Sequence, residues 1–147
     1  MQFINLWYDI GMKYNGPFVY PTVDVAVFDA TKMRILLARK SHEKRFQFIG
    51  GFSDVSSESY EADAAREVTE EANIYVDRLE YMGSVIIDDE RYKNSPNKIK
   101  TLFFRAIYNG GIPIGKDDVA EVKWFRIDKL KESDIVKKHR PLLRMLF

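Results

Sequence analysis

The sequence predicts one α+β domain with a mixed sheet and few helices. Three observations carry this expectation. The chain has 147 residues, the size of a single ordinary domain. Its 46% apolar and 14% aromatic content can fill a core, which excludes a disordered or low-complexity protein. Apolar, β-branched runs punctuated by Gly, Asn and Asp recur along the chain, whereas one long segment has strong helical character.

The elements follow in order. Residues 1–17 are aromatic-rich, poorly patterned and closed by Gly16-Pro17, and read as an arm packing on the domain or on a second subunit. The main domain then spans residues 18–147. Val19 to Phe28 is β-branched and reads as a strand, turned by Asp29-Ala30-Thr31 into a hairpin partner over 33–39. A short buried strand is expected over 46–49, stopped by Gly50-Gly51. Residues 59–73 hold no Gly or Pro and are rich in Ala and Glu, the pattern of the best helix in the chain. Strands are expected over 79–87, 99–108 and 121–127, with Asn109-Gly110-Gly111 as a turn, and short helices over 128–131 and 139–145.

Charge and composition remove several function classes. The 23 Lys+Arg and 22 Asp+Glu leave a net +1, without the basic excess of a general nucleic-acid binder. Cysteine is absent, so disulfides, thiol nucleophiles and thiolate zinc sites are excluded. With His42 and His139 as the two histidines, metal chemistry must use oxygen ligands. The apolar start, Met1 to Trp7, is too short for a membrane span and Asp9 interrupts it, so a soluble cytoplasmic protein is expected.

The near-neutral total conceals a local asymmetry. Residues 32–45 carry six cations against Glu43 alone, a net +5, and residues 54–71 carry seven acids against Arg66, a net −6. These could be two solvated faces that attract each other, or a phosphate-binding wall beside a cation site. At about 100° per residue, Glu67, Glu70 and Glu71 share an arc of roughly 100° on the expected helix. Ala64, Ala65, Val68 and Ala72 fill the adjoining arc, which would face the sheet. Like charges at these spacings destabilise a bare helix by about a few tenths of a kcal/mol per pair, a penalty a divalent cation would reverse. Helix geometry alone leaves a solvated acidic face and a cation site both open.

The wider spacing is more specific. Residues 50–74 read GGFSDVSSESYEADAAREVTEEANI. This segment resembles the Nudix box, G-x5-E-x7-R-E-U-x-E-E-x-G-U with U aliphatic, through Glu58, Arg66-Glu67-Val68, Glu70-Glu71 and Ile74. Ile35 to Arg39, Phe46-Gln47-Phe48 and Val122 to Phe125 are similar to strands flanking the box in that family. Two departures stand out. Six residues, not five, separate Gly51 from Glu58, a loop variant, and Asn73 replaces the Gly that ends the family's helix. Asn is the next residue best able to take the left-handed C-cap conformation.

The resemblance implies a Nudix-type α/β/α sandwich around a mixed central sheet, and hydrolysis of a nucleoside diphosphate linked to another moiety. It implies Mg²⁺, with Mn²⁺ as substitute, held by Glu67, Glu70, Glu71 and the Gly51 carbonyl. Arg66 would orient a carboxylate, and Glu58 would support the site or add a metal contact. The general base is a box glutamate or an acid on the loop before the Val122 strand, where Asp117, Asp118 and Glu121 are candidates. Arg39 is the expected phosphate contact; Lys40, Lys44, Arg45 and His42 are expected at the surface, and His139 in a structural role. The GGF-type box and the entry strand from Tyr20 are similar to ADP-ribose pyrophosphatase-like members, so ADP-ribose or an ADP-sugar is the favoured substrate and a homodimer the expected assembly. Adenine would stack on Phe18, Tyr20 or Tyr92. Asp89 stands where many such enzymes have Pro, while Tyr92 resembles a Tyr of diadenosine polyphosphate hydrolases, making a dinucleoside polyphosphate the alternative. A catalytically silent nucleotide-sugar sensor is disfavoured because every box glutamate is retained. A scaffold role is disfavoured because the acidic cluster would be unfavourable without a cation.

Overall fold

The computed structural model describes residues 14–147. Most of the arm expected over 1–17, with its dimer contact, lies outside the described residues. Strand β1 (Val19–Phe28) is the centre of a six-stranded mixed sheet that also holds β2 (Arg34–Lys40), β3 (Ile49–Phe52), β4 (Ile74–Ile87), β5 (Lys98–Gly111) and β6 (Val119–Arg126). The order is β4-β5-β1-β2-β6, with β3 also on β1. On one side β1 runs parallel to β5 along its whole length, from Val19 beside Lys98 to Phe28 beside Ile107. Its other side is shared between antiparallel partners: Thr22–Val25 pair with β3, and Val27 and Phe28 pair with β2.

Alternation along these strands sorts the core onto two faces. Val23, Val25 and Val27 of β1 pack with Leu36, Phe104 and Ala106 beneath Ala64, Val68 and Ala72 of helix α1 (Tyr60–Ala72). Ala26, Leu37, Phe48 and Phe103 face the opposite way, onto Ile135, Leu142 and Leu143 of the C-terminal segment and helix α2 (Arg140–Leu146). The sheet therefore lies between two helical layers, as an α/β/α sandwich requires.

The ends of α1 behave as the sequence indicates. Ser59 caps the start, its hydroxyl accepting from the Ala62 amide at 3.0 Å, and Asn73 closes the end at φ 58°. The loop after β5 meets two of the helix's last carbonyls, through Ile114 N–H to Ala72 O and Lys116 N–H to Glu71 O. That loop is thereby fixed against the acidic face of α1.

Ala65, expected to face the sheet, lies at the outer end of its arc and is exposed, and four elements also differ from expectation. Phe46 and Gln47 make only isolated bridges, and strand β3 begins at Ile49 and runs through the two glycines into Phe52. The glycines do not stop the strand. They let it approach: a Cβ at Gly50 would collide with the Val23 carbonyl, and one at Gly51 would lie 2.7 Å from the Glu67 carboxylate. Strand β4 starts at Ile74 rather than 79, through an irregular stretch where Arg78 has φ 53°. Polar Asp77 and Arg78 mask that stretch in the sequence. Asn109-Gly110-Gly111 continues β5, with Gly111 paired to Ile74. No helix forms over 128–131; its backbone makes a turn, followed by 3₁₀ turns at Glu132–Asp134 and Lys137–His139. Among the described residues no helix is long and apolar enough to cross a membrane.

Candidate active site

Helix α1 places its carboxylates at the boundary between the sheet and solvent. Glu67 and Glu71 are buried while Glu70 is exposed. Arg66 organises them. Its Nη1 donates to Glu67 Oε1 and to Glu70 Oε2, both at 3.0 Å. Its Nη2 donates to Asp63 Oδ1 at 3.1 Å and to the Phe52 carbonyl at 3.3 Å. The guanidinium thus joins three carboxylates and β3, where the sequence suggests one carboxylate partner.

The sequence does not single out Asp63, yet this residue anchors the box loop. It is fully buried, and accepts from the Ser53 hydroxyl at 2.6 Å and the Asp54 amide at 3.2 Å. Burial alone would raise its pKa, but these bonds and Arg66 hold it below the ordinary value. Its spacing of three from Arg66 is the available signal.

Lys40 is the clearest correction to the sequence reading, which places it at the surface. Its side chain is 14% exposed, and its Nζ donates to Glu71 Oε1 at 3.1 Å and to Asp118 Oδ1 at 2.9 Å. A break in β2–β6 register between Arg39 and Lys40 accompanies this inward turn. Burial lowers the Lys40 pKa less than Glu71 and Asp118 raise it, so the ammonium is held in its charged form. Burial dominates for Glu71 and pushes its carboxyl up to about 7, against the pull of Lys40. Glu67 is raised by the same cause, opposed by Arg66.

Of the proposed bases, Asp118 joins the Lys40–Glu71 network. Glu121 sits across from Arg39 in the β2–β6 register and accepts from Arg39 Nε at 3.3 Å. Arg39 also donates to the Glu43 carbonyl at 3.1 Å. Two residues expected to act separately are therefore paired with each other. His139 is buried, accepts from the Phe48 amide through Nδ1 at 3.1 Å, and lies 3.6 Å from Asp24 through Nε2. Burial depresses the imidazole to about 3 and, opposed chiefly by the Thr101 hydroxyl at 2.5 Å, raises Asp24 to about 8.

A groove of about 480 Å³ opens beside the box loop, lined by Tyr20, Pro21, Phe52, Asp54, Glu58 and Tyr60 among others. Of the three aromatics suggested for base stacking, Tyr20 lines this groove, and Phe18 and Tyr92 neighbour it through their rings. Phe18 and Tyr20 rings lie 6.4 Å apart and Tyr20 and Tyr92 rings 5.5 Å apart. Glu58 lines this groove rather than joining the Arg66 cluster.

The donor set suits a hard cation, since all the acids supply oxygen. Glu71 Oε2 is buried without a hydrogen-bond partner, and Gly51 leaves Glu67 the space a Cβ would fill. Among the described residues no three acidic or histidine side chains converge as a ready cage. Arg66 and Lys40 take up their carboxylate oxygens instead.

A mixed sheet between helical layers, with an acidic helix braced on a Gly-Gly strand, defines a class of sandwich proteins whose polar site lies on one loop–helix–loop. The chain belongs to the NUDIX domain family, whose model matches residues 20–146. It is 28% identical over 118 residues to the NAD-capped RNA hydrolase NudC of Mannheimia succiniciproducens, covering 77% of this chain and 42% of that protein. It is 30% identical over 116 residues to NudC of Vibrio vulnificus, covering 78% and 41%. The chain thus spans about two fifths of the length of these curated relatives. Among solved structures, a MutT NUDIX hydrolase from Burkholderia pseudomallei superposes with a TM-score of 0.73 at 22% identity, over 89% of this chain and 100% of that one. The NUDIX domain of Shewanella oneidensis NrtR, solved with ADP ribose, gives 0.73 at 20% identity over 96% and 95%. These structural likenesses establish the fold.

Proposed function

We propose that the chain is a Mg²⁺-dependent hydrolase of a nucleoside diphosphate joined to another moiety, with ADP-ribose or an ADP-sugar as substrate and AMP plus a sugar phosphate as products. The observation that carries this reading is the helix α1 cluster, in which Arg66 holds Glu67 and Glu70, Gly51 leaves room beside Glu67, and Glu71 is buried on Lys40. Glu67, Glu70, Glu71 and the Gly51 carbonyl would hold the cation, for which the partnerless Glu71 Oε2 and the Gly51 opening make room. A divalent cation supplies neutralisation of pyrophosphate charge and acidification of water at neutral pH.

The chain's own residues do the rest. Arg66 fixes the rotamers of Glu67 and Glu70. Lys40 holds Glu71 and Asp118 together, which makes Asp118 a candidate base beside Glu121 and the box glutamates. Water adds to one phosphorus, the bridging P–O bond breaks, and the base takes the proton. The aromatic groove beside the box loop receives the nucleoside through Tyr20, with Phe18 and Tyr92 extending the surface.

The names of the two curated relatives favour a second substrate, an NAD-type dinucleotide. Both readings share an ADP half joined through a pyrophosphate. A screen of ADP-ribose, NADH, diadenosine polyphosphates, GDP-mannose and nucleoside triphosphates with Mg²⁺ or Mn²⁺ separates them. Cleavage of an ADP-containing diphosphate is expected, and Glu70→Gln should lower kcat by at least about a hundredfold. Inactivity of the unaltered protein on every class with both metals would refute catalysis and leave the silent sensor. Near-normal turnover by Glu70→Gln would sink the ligand assignment.

A further inference from the structure

The groove has a charge problem that its lining does not solve. Asp54 and Glu58 are among its walls, and none of the described lining residues is cationic. Three basic side chains around the site are already engaged with acids of the protein: Arg66 by Asp63, Glu67 and Glu70, Lys40 by Glu71 and Asp118, and Arg39 by Glu121. A diphosphate entering here needs a positive group of its own.

Arg91 has the geometry for it. It lies on the 3₁₀ turn Glu90–Tyr92, and its guanidinium carbon is 5.3 Å from the centroid of the Phe52 ring. Phe52 is the shared wall: its ring lines the groove, and its carbonyl accepts from Arg66. Arg91 therefore stands at the rim between the aromatic pocket and the carboxylate helix. Its orientation is fixed from below. Asp89, buried, accepts from Arg91 Nε at 2.9 Å and Nη2 at 2.8 Å, and from the Arg91 amide at 2.9 Å. Lys138 adds a weaker contact at 3.5 Å to the same carboxylate. The Arg91 fork holds the Asp89 carboxyl far below its ordinary range, so this anchor stays charged. Nη1 makes no hydrogen bond to the described residues, and the Arg91 side chain is 63% exposed. The next residue, Tyr92, packs its ring on Tyr20 of the groove wall. One turn thus braces the stacking surface and presents the cation.

We propose that Arg91, clamped by Asp89 at the Phe52 rim, is the phosphate-binding residue of the groove, taking a phosphate of a nucleoside diphosphate whose base lies against the aromatic wall. This rests on the nucleotide reading above and adds the residue that recognises the anion. A guanidinium held by two of its N–H groups offers its remaining edge at low entropic penalty, which favours phosphate over a neutral sugar.

The test is calorimetric binding of α,β-methylene-ADP and of adenosine, in Mg²⁺ buffer, to the unaltered protein and to Arg91→Gln and Arg91→Lys, each first checked by thermal melting. The analogue should lose about tenfold or more in affinity with Arg91→Gln and less with Arg91→Lys, while adenosine stays within about twofold. Kinetics on the best substrate should show a raised KM with kcat little changed. Equal affinities for the analogue, an equal loss for adenosine, or no binding of either ligand by the unaltered protein would overturn the proposal. Selective loss of analogue binding in a protein that cleaves no pyrophosphate would support Arg91 and refute the hydrolase reading instead.

Discussion

Substituting Glu71 by Gln should stabilise the metal-free protein at alkaline pH while abolishing its activity. Burial raises the Glu71 carboxyl from the ordinary 4.5 to about 7, so the folded protein binds that proton more tightly than the unfolded chain. Between those values stability falls as pH rises, and the penalty is complete above about 7 and absent below about 4.5. Its size is about 3 kcal/mol. The substituted amide would offset part of this gain, because its NH₂ would occupy the buried place of Oε2, which has no hydrogen-bond partner, at a loss of about 1 kcal/mol. The net gain of about 2 kcal/mol corresponds to a melting temperature about 4–8 °C higher for a domain of this size. Asp24, raised to about 8 chiefly by burial and also by the Glu71 charge, is partly relieved when that charge is removed, which adds to the gain at alkaline pH. Thermal melts in EDTA at pH 8.5 and pH 5 measure the effect: a clear gain for Glu71→Gln at pH 8.5, and agreement within about 2 °C at pH 5. A less stable variant at pH 8.5, or the same gap at both pH values, would refute the reasoning. Added Mg²⁺ should then raise the melting temperature of the unaltered protein by mass action and that of the variant much less.

Two further outcomes are expected. Gly51→Ala should keep the fold but reduce turnover by about a hundredfold, because the new Cβ would fall 2.7 Å from the Glu67 carboxylate and displace it; circular dichroism beside steady-state kinetics checks both halves. Ser59→Ala should remove the cap bond to Ala62 and lower stability by about 1 kcal/mol in urea unfolding.

Much of the fold is legible in the sequence because local pattern and tertiary demand agree. The β-branched run Val19–Phe28 and the Ser59 and Asn73 boundaries of α1 emerge as the sequence indicates. Disagreement arises where a residue serves a distant neighbour. Gly50 and Gly51 resemble a strand stop, but their task is to admit the Val23 backbone and the Glu67 carboxylate, contacts remote in the chain. The start of β4 is hidden because irregular pairing lets Asp77 and Arg78 remain outside the core within a strand. The site divides in the same way. Glu67, Glu70, Glu71 and Arg66 share one helix, so spacing alone gathers them. Lys40, Asp118 and Arg91 come from a strand and two loops, and only the closure of β2 on β6 and the docking of the loop after β5 bring the first two to Glu71.

That division changes what the acidic cluster implies. In the sequence, a helix crowded with carboxylates reads as one whose like-charge penalty a cation would reverse. The structure offsets most of that penalty internally: Arg66 is bonded to Asp63, Glu67 and Glu70, so those like charges are already compensated. Helix stability therefore does not require a metal, and retention of these three acids cannot be argued from it. Glu71 is different. It is buried with one oxygen unpartnered, its single cation Lys40 is shared with Asp118, and its carboxyl is driven up to about 7. A Gln or an apolar residue would serve the fold better there. The unfavourable burial of this one carboxylate, rather than the count of acids around it, is the observation that supports the proposed chemical role of the cluster.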